Sequence, residues 1–404
     1  MKKLFLFFSL LAGFILSGCS ASYNSVQYQK DLGIKLSDSL ATKETVNLYA
    51  NLKKLSERNI IFGHQHSTAY GVGWRSKQNF SDVKDVSDYF PGLYGWDFEI
   101  LTPPNEVGED WMRKLIIEAY ERGGVNTFCW HYNNPVTGRS FYDTTIAVKH
   151  ILPGGKYHNN YINALNIIAV YAQHLKGEDG ELIPIIFRPF HEFDGSWFWW
   201  GKNFCTKEEF IALWQFTVTY LRDVKGVRNF IYAFSPDRMF YNEEQFLDRY
   251  PGDEYADILG MDNYSDFTGG DGIEWVTKKL KIVSRLAKKK NKIAAFTETG
   301  LEGIPDATWW TNRLLKSFSD DSIKIAYMMV WRNANETHHY APHRNNVSAG
   351  NFVHFSRQPH ILFEDHLPDL YSTSISDETL NNIYSGRNLD LLRFLLNYRL
   401  SYSF

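Results

Sequence analysis

Eight short apolar runs, separated by amphipathic stretches, restrict the folds open to this chain more than any other feature. The runs cover 60–63, 93–98, 124–131, 183–192, 229–235, 258–264, 293–298 and 325–331. Most are continuously apolar, as parallel strands covered on both faces must be. Amphipathic segments at 111–122, 161–175, 207–221, 272–289 and 308–318 lie between them, and 389–398 supplies a last one. Such alternation predicts a parallel α/β fold, and eight strands predict a closed (β/α)₈ barrel. Neither a glycine-rich dinucleotide turn nor a P-loop follows a strand, and Gly269-Gly270-Asp271-Gly272 reads as a plain loop. No compositional break divides the chain, so one barrel domain is expected over 37–404. Long insertions at 133–158 and 333–365 follow the third and eighth strands, which puts both on the C-terminal rim, where barrels build their sites.

The strands end in polar and aromatic residues: His64, Asp97, His131, Arg188 to Glu192, Asp262 to Tyr264, Glu298, and Trp331-Arg332. On a barrel these ends converge into one pocket. Glu192 closes the fourth run and Glu298 the seventh. Cleavage of a glycosidic bond needs two such carboxyl groups, one protonated and one ionised. Burial and mutual repulsion can set their pKa values apart. Aromatic residues make up 16% of the chain, with 12 Trp. Most belong in the core, but the excess suits stacking against sugar rings.

Arg188-Pro189-Phe190-His191-Glu192, followed by Gly195-Ser196-Trp197-Phe198-Trp199-Trp200-Gly201, closely resembles glycoside hydrolase family 26. The likeness runs from about Phe62 to Arg332. It implies a retaining endo-β-1,4-mannanase that hydrolyses mannan or galactomannan by double displacement, without a cofactor. Glu192 is then the acid/base and Glu298 the nucleophile. The resemblance further implies that His191 positions the nucleophile or the sugar 2-hydroxyl, that Tyr264 hydrogen-bonds the nucleophile, and that Trp331 is a sugar platform. It puts Trp197 on the leaving-group side and His131 and Arg332 on the non-reducing side. Exo-action releasing mannobiose, β-glucanase or β-xylanase activity, and a non-catalytic glycan-binding lipoprotein are the alternatives; both glutamates being present counts against the last.

The amino terminus adds a location. Met1-Lys2-Lys3, the apolar stretch to Leu16, and Leu16-Ser17-Gly18-Cys19 resemble a bacterial lipoprotein signal. Residues 1–18 would be removed, Cys19 lipidated, and 19–36 would tether the barrel to the membrane. Ser20 to Asn24 carry no acidic run, which favours the periplasmic face of the outer membrane over the cell surface. A net charge of −3 without long like-charge runs gives no reason to expect nucleic acid, and a monomer is expected. Cys129 and Cys205 could pair, but two free, largely buried thiols are the simpler expectation. His338, His339 and His343 lack a clear fourth ligand, so no metal is expected. Replacing Cys19 by Ser is expected to release the protein from membranes with its activity intact. Membrane fractionation with mass spectrometry checks this; a wild-type chain that is soluble and lipid-free contradicts the anchor.

Overall fold

The computed structural model describes residues 23–102, 106–268 and 272–401. The expected leader, Cys19 and the Gly269–Asp271 part of the glycine loop lie outside these residues. Eight parallel strands form the barrel: β1 (Ile60–Gln65), β2 (Leu93–Asp97), β3 (Val125–Cys129), β4 (Ile185–Arg188), β5 (Phe230–Phe234), β6 (Ile258–Leu259 with Asp262–Asn263), β7 (Ile293–Ala294 with Phe296–Thr299) and β8 (Tyr327–Val330). Each pairs with its neighbour in sequence, and β8 closes onto β1 with Ile61 opposite Tyr327 and His64 opposite Val330. β6 and β7 pair twice, at Ile258–Ile293 and again at Asp262–Glu298, on either side of an irregular step. Gly63 lets β1 pass close to its neighbours, since a Cβ there would stand 2.6 Å from Leu93 Cδ2.

All eight expected strands are present, but β4 is shorter than the run 183–192. Pro189 has no N–H to offer a ladder, so pairing stops at Arg188 and the chain turns. Helices Glu106–Glu121, His158–His174, Lys207–Thr219 and Gly272–Lys289 match expected segments closely, while 308–318 holds a one-turn wide helix, Trp310–Leu315. The expected loop 333–365 is interrupted by a helix, Ala349–Ser356. Its Phe352 and Phe355 pack on Phe62 of β1 at 5.3 and 5.9 Å, so it is the last outer helix of the barrel. The C-terminal amphipathic stretch instead belongs to a longer helix, Asp377–Ser401.

The expected tether is also shorter than 19–36. Ser25–Asp31 is a helix, and Ile34 and Leu36 are buried. Polar anchors hold this segment, which is why hydrophobic periodicity gave no sign of it. Buried Gln29 accepts from Leu36 N at 2.9 Å and donates to Asp38 O at 3.0 Å. Asp257, just before β6, accepts from Ser37 N and Oγ at 2.6 and 2.8 Å. Helix Lys43–Leu55, capped by Thr42, then leads into β1. Gln29→Ala leaves the buried Leu36 N–H without its partner, while Asp38 O keeps its bond from Ala41 N at 3.3 Å, and is expected to cost about 1–3 kcal/mol. Denaturant unfolding measures this; a free tether would show no change.

Candidate active site

β4 carries Arg188 into the barrel, where it is only 1% exposed. A buried guanidinium must be paired and hydrogen-bonded. Its Nη1 donates to Asp262 at 3.0 and 3.3 Å and to Ser235 Oγ at 3.1 Å, and its Nη2 donates to Glu298 Oε1. Tyr264 OH donates to the other Glu298 oxygen at 2.8 Å, and Thr297 Oγ1 to Asp262 at 2.6 Å. Glu298 therefore has a donor on each oxygen. Burial opposes the Arg188 cation, but Asp262 and Glu298 outweigh it and hold its pKa well above the usual value. Burial, helped by the Glu298 charge, lifts Asp262 well above the ordinary carboxyl range despite Arg188.

Glu192 lies four residues beyond β4, on a turn in which Phe190 and Glu192 have φ of 51° and 54°. Left-handed backbone at non-glycine residues costs on the order of 1–3 kcal/mol, and surrounding bonds must hold it. Glu192 N donates to Ser235 O at 2.9 Å and Gly195 N to Glu192 O at 3.0 Å. Trp197 Nε1 donates to Glu192 Oε2 at 2.7 Å. Gly195 makes that reach possible, since a Cβ there would stand 2.3 Å from the Trp197 ring. Burial, then the charge of Glu298, raises the Glu192 pKa well above that of a free carboxyl. One carboxyl is thus shielded by a neutral indole and pushed toward its acid form. The other is held by a guanidinium and a phenol.

Beside this pair, His131 meets Asp97 through Nδ1 at 2.6 Å, and its own N–H donates to Asp97 at 3.1 Å. Burial disfavours the imidazolium, but Asp97 outweighs it and raises the His131 pKa. Burial likewise opposes the Asp97 charge, yet His131 brings its pKa down. His191 packs edge-on to His131 at 4.7 Å. Burial, then the His131 charge, lowers the His191 pKa far below normal, which keeps that ring neutral, and its Nδ1 has no partner among the described residues. The ring of Trp331 stands 5.8 Å from His131, and Arg332 donates to Tyr70 OH at 3.3 Å.

The structure brings all of Glu192, Glu298, His131, His191, Trp197, Tyr264, Trp331 and Arg332 to one end of the barrel. Asp97 joins them through His131, whereas His64 turns to Ser67 at 2.9 Å and burial lowers its pKa to about 4. Asp262 and Ser235 had no assigned role in the sequence; the signal that could have found them is Arg188 itself, a cation in an apolar strand that needs counter-charges. Cys129 and Cys205 are free and buried. His338 is engaged by Glu302 at 2.6 Å and His339 by Asn346 at 3.0 Å. Among the described residues, Asp97, Cys129 and His131 are the one group close enough to share an ion. Burial pushes the Cys129 thiol well up, and His131 Nδ1 is already committed to Asp97, so the trio makes a poor ligand set.

A closed parallel barrel with a carboxyl group beyond β4 and another on β7, kept in opposed environments, defines the class of (β/α)₈ glycoside hydrolases. A model of glycosyl hydrolase family 26 matches residues 37–353, and the chain belongs to that family. It is 36% identical over 348 residues to a mannan endo-1,4-beta-mannosidase of Bifidobacterium adolescentis, an alignment covering 80% of this chain and 34% of that protein. The chain thus spans about a third of the length of that relative. A GH26 beta-mannanase from Bacteroides ovatus superposes with TM-score 0.79 at 42% identity, over 83% of this chain and 99% of that one. A modular endo-beta-1,4-mannanase from Cellulomonas fimi superposes with TM-score 0.80 at 34% identity, over 85% and 80%.

The Asp97–His131 pair generates a pH-dependent expectation. The raised His131 pKa stabilises the fold below about pH 6.5 and that gain is lost as pH rises through the folded value. The lowered Asp97 pKa stabilises above about pH 4 and is lost as pH falls. Asp97→Asn is therefore expected to destabilise most near pH 5, by about 1.5–3 kcal/mol, and less at pH 8. It also brings the His131 pKa down. Histidine NMR titration and denaturant unfolding at both pH values check this; an unmoved His131 titration contradicts it.

Proposed function

We propose that this protein is a retaining endo-β-1,4-mannanase, carried on the periplasmic face of the outer membrane by lipidated Cys19. The observation that carries the catalytic reading is the contrast between the two carboxyls. Glu298 lies between Arg188 and Tyr264, and Glu192 sits with a raised pKa under the Trp197 indole. In the first step Glu298 Oε attacks the anomeric carbon while Glu192 delivers its proton to the departing oxygen. The ester that forms has no charge on Glu298. One contribution to the high Glu192 pKa disappears with it, so Glu192 is better able to act as base toward water in the second step. This course calls for the two carboxyls to stand about 5–5.5 Å apart.

The surrounding residues fit a sugar chain threaded past the pair. Trp331 offers a ring face beside His131, with Arg332 further along the non-reducing side and Trp197 at the leaving-group side. Neutral His191 has a free ring nitrogen for the nucleophile or a sugar hydroxyl. Loop residues 133–147 bring Phe141 and exposed Tyr142 against Phe198 at 5.8 and 5.5 Å, and Phe141 against His131 at 4.6 Å. The mannan substrate is supported by what the similar proteins are described as hydrolysing, mannan endo-1,4-beta-mannosidases among them.

Glu298→Ala is expected to abolish turnover of every substrate. Glu192→Ala is expected to slow mannan by about 10²–10⁴-fold and to spare the first half-reaction of an activated aryl mannoside, so that the glycosyl-enzyme accumulates. Stopped-flow kinetics and intact-protein mass spectrometry check this. Equal loss of both half-reactions on the activated substrate contradicts the assignment. Early products separate the two modes of action: mixed oligosaccharides indicate endo cleavage, and mannobiose alone indicates exo cleavage with the catalytic pair unchanged.

A further inference from the structure

The end of the barrel opposite the proposed catalytic pair carries a groove of about 550 Å³. It is formed where helix Gly272–Lys289 ends, beside the residues that lead into β7 and β8 and the last turn of helix Lys43–Leu55. Lys53, Lys281, Arg285, Lys288, Lys292 and Lys324 line it, against only Glu57 and Asp321. Lys281 and Arg285 are neutralised by Asp320 and Glu243, and Lys292 is turned inward onto the carbonyls of Asp253 and Ala256. Lys53, Lys288 and Lys324 form no ion pair among the described residues. Six cations here face four carboxylates, Glu57, Asp321, Asp320 and Glu243, a local excess of positive charge on a chain whose net charge is −3.

The amino-terminal segment leads to the same face. Asn291, a groove residue, donates to Gly33 O at 3.5 Å, and Lys53 bonds Asn291. Tyr23 OH bonds Ala41 O at 3.0 Å, next to the contact of Thr42 with Arg228 O at the foot of β5. Because residues 25–36 are folded onto the barrel, only four peptide steps separate Cys19 from Tyr23, a reach of roughly 14 Å even when extended. An acyl anchor on so short a leash keeps the start of helix Lys43–Leu55 within about two Debye lengths of the bilayer, the Debye length being about 8 Å, and leaves the foot of the barrel as the face nearest the membrane.

We propose that the lysine groove at the foot of the barrel docks on the anionic phospholipid headgroups of the membrane, and so holds the glycan cleft facing away from the bilayer. This rests on the lipid-anchor reading of Cys19 for its geometry, but the groove's own affinity is testable without lipid on the protein. The full-length Cys19→Ser chain is mixed at low salt with vesicles of phosphatidylcholine alone or containing 40% phosphatidylglycerol. Cosedimentation is expected to be at least tenfold tighter on the anionic vesicles and to weaken as sodium chloride rises. In the same background K53E/K288E/K324E is expected to lose on the order of 100-fold, about fivefold per lysine, with hydrolysis of soluble mannan unchanged. Comparing the two chains removes any binding by the apolar leader. If the triple variant loses hydrolysis as well, K288E alone, on an exposed helix end, is read for the fivefold loss. Equal affinity for both vesicle types, undiminished binding by the lysine variants, or displacement by a few millimolar pyrophosphate at constant ionic strength overturns the proposal; the last result would make the groove a small-anion pocket.

Discussion

Arg188 is the group on which the rest of the site depends. It is buried in β4 and shared between Asp262 on β6 and Glu298 on β7, so one side chain ties three strands together. Removing a single member of a buried charge set leaves the others uncompensated, at a cost of about 3–5 kcal/mol. That penalty explains the arrangement around it. Thr297 donates to Asp262, Ser235 accepts from Arg188, and Tyr264 takes the second oxygen of Glu298; Arg188 Nε is left without a partner among the described residues. The irregular pairing between β6 and β7 brings Glu298 and Asp262 side by side.

Glu192 shows the complementary solution. It is placed by a turn rather than by a strand, at the cost of two left-handed residues, and the nearest donor is a neutral indole. A cation at Trp197's position would favour the ionised carboxylate; the indole bonds it without supplying a charge. The two glutamates differ through their surroundings, and those surroundings follow from Pro189, which stops β4 early, and from Gly195, which lets Trp197 fold back. Similar reasoning covers His131 and His191, adjacent rings whose protonation is pushed in opposite directions by a carboxylate on one and burial on both.

The barrel was legible because continuous apolar runs leave parallel strands little alternative, and the strand-end residues were legible because a barrel brings them together. What was hidden depended on polar contacts between distant segments. Residues 25–36 look like a tether, because Gln29 and Ser37 secure them through hydrogen bonds that no periodicity reveals. Helix Ala349–Ser356 was concealed in an apparent loop, since its buried apolar residues, Phe352 and Phe355, number too few for a strong pattern. Asp262 stood in plain sight at a strand end, but its role appears only once Arg188 is seen to lie 3.0 Å away.

The account turns on Glu298 forming a covalent bond to the sugar while Glu192 moves the proton, and the stereochemistry of the first product reports on this directly. Proton NMR of the reducing-end anomer, recorded in the first seconds of hydrolysis of a β-1,4-manno-oligosaccharide, separates the possibilities before mutarotation blurs them. The proposed double displacement predicts that the β-anomer appears first and decays to the equilibrium mixture. Appearance of the α-anomer first would mean a single displacement by water and would contradict the assignment of Glu298 as nucleophile.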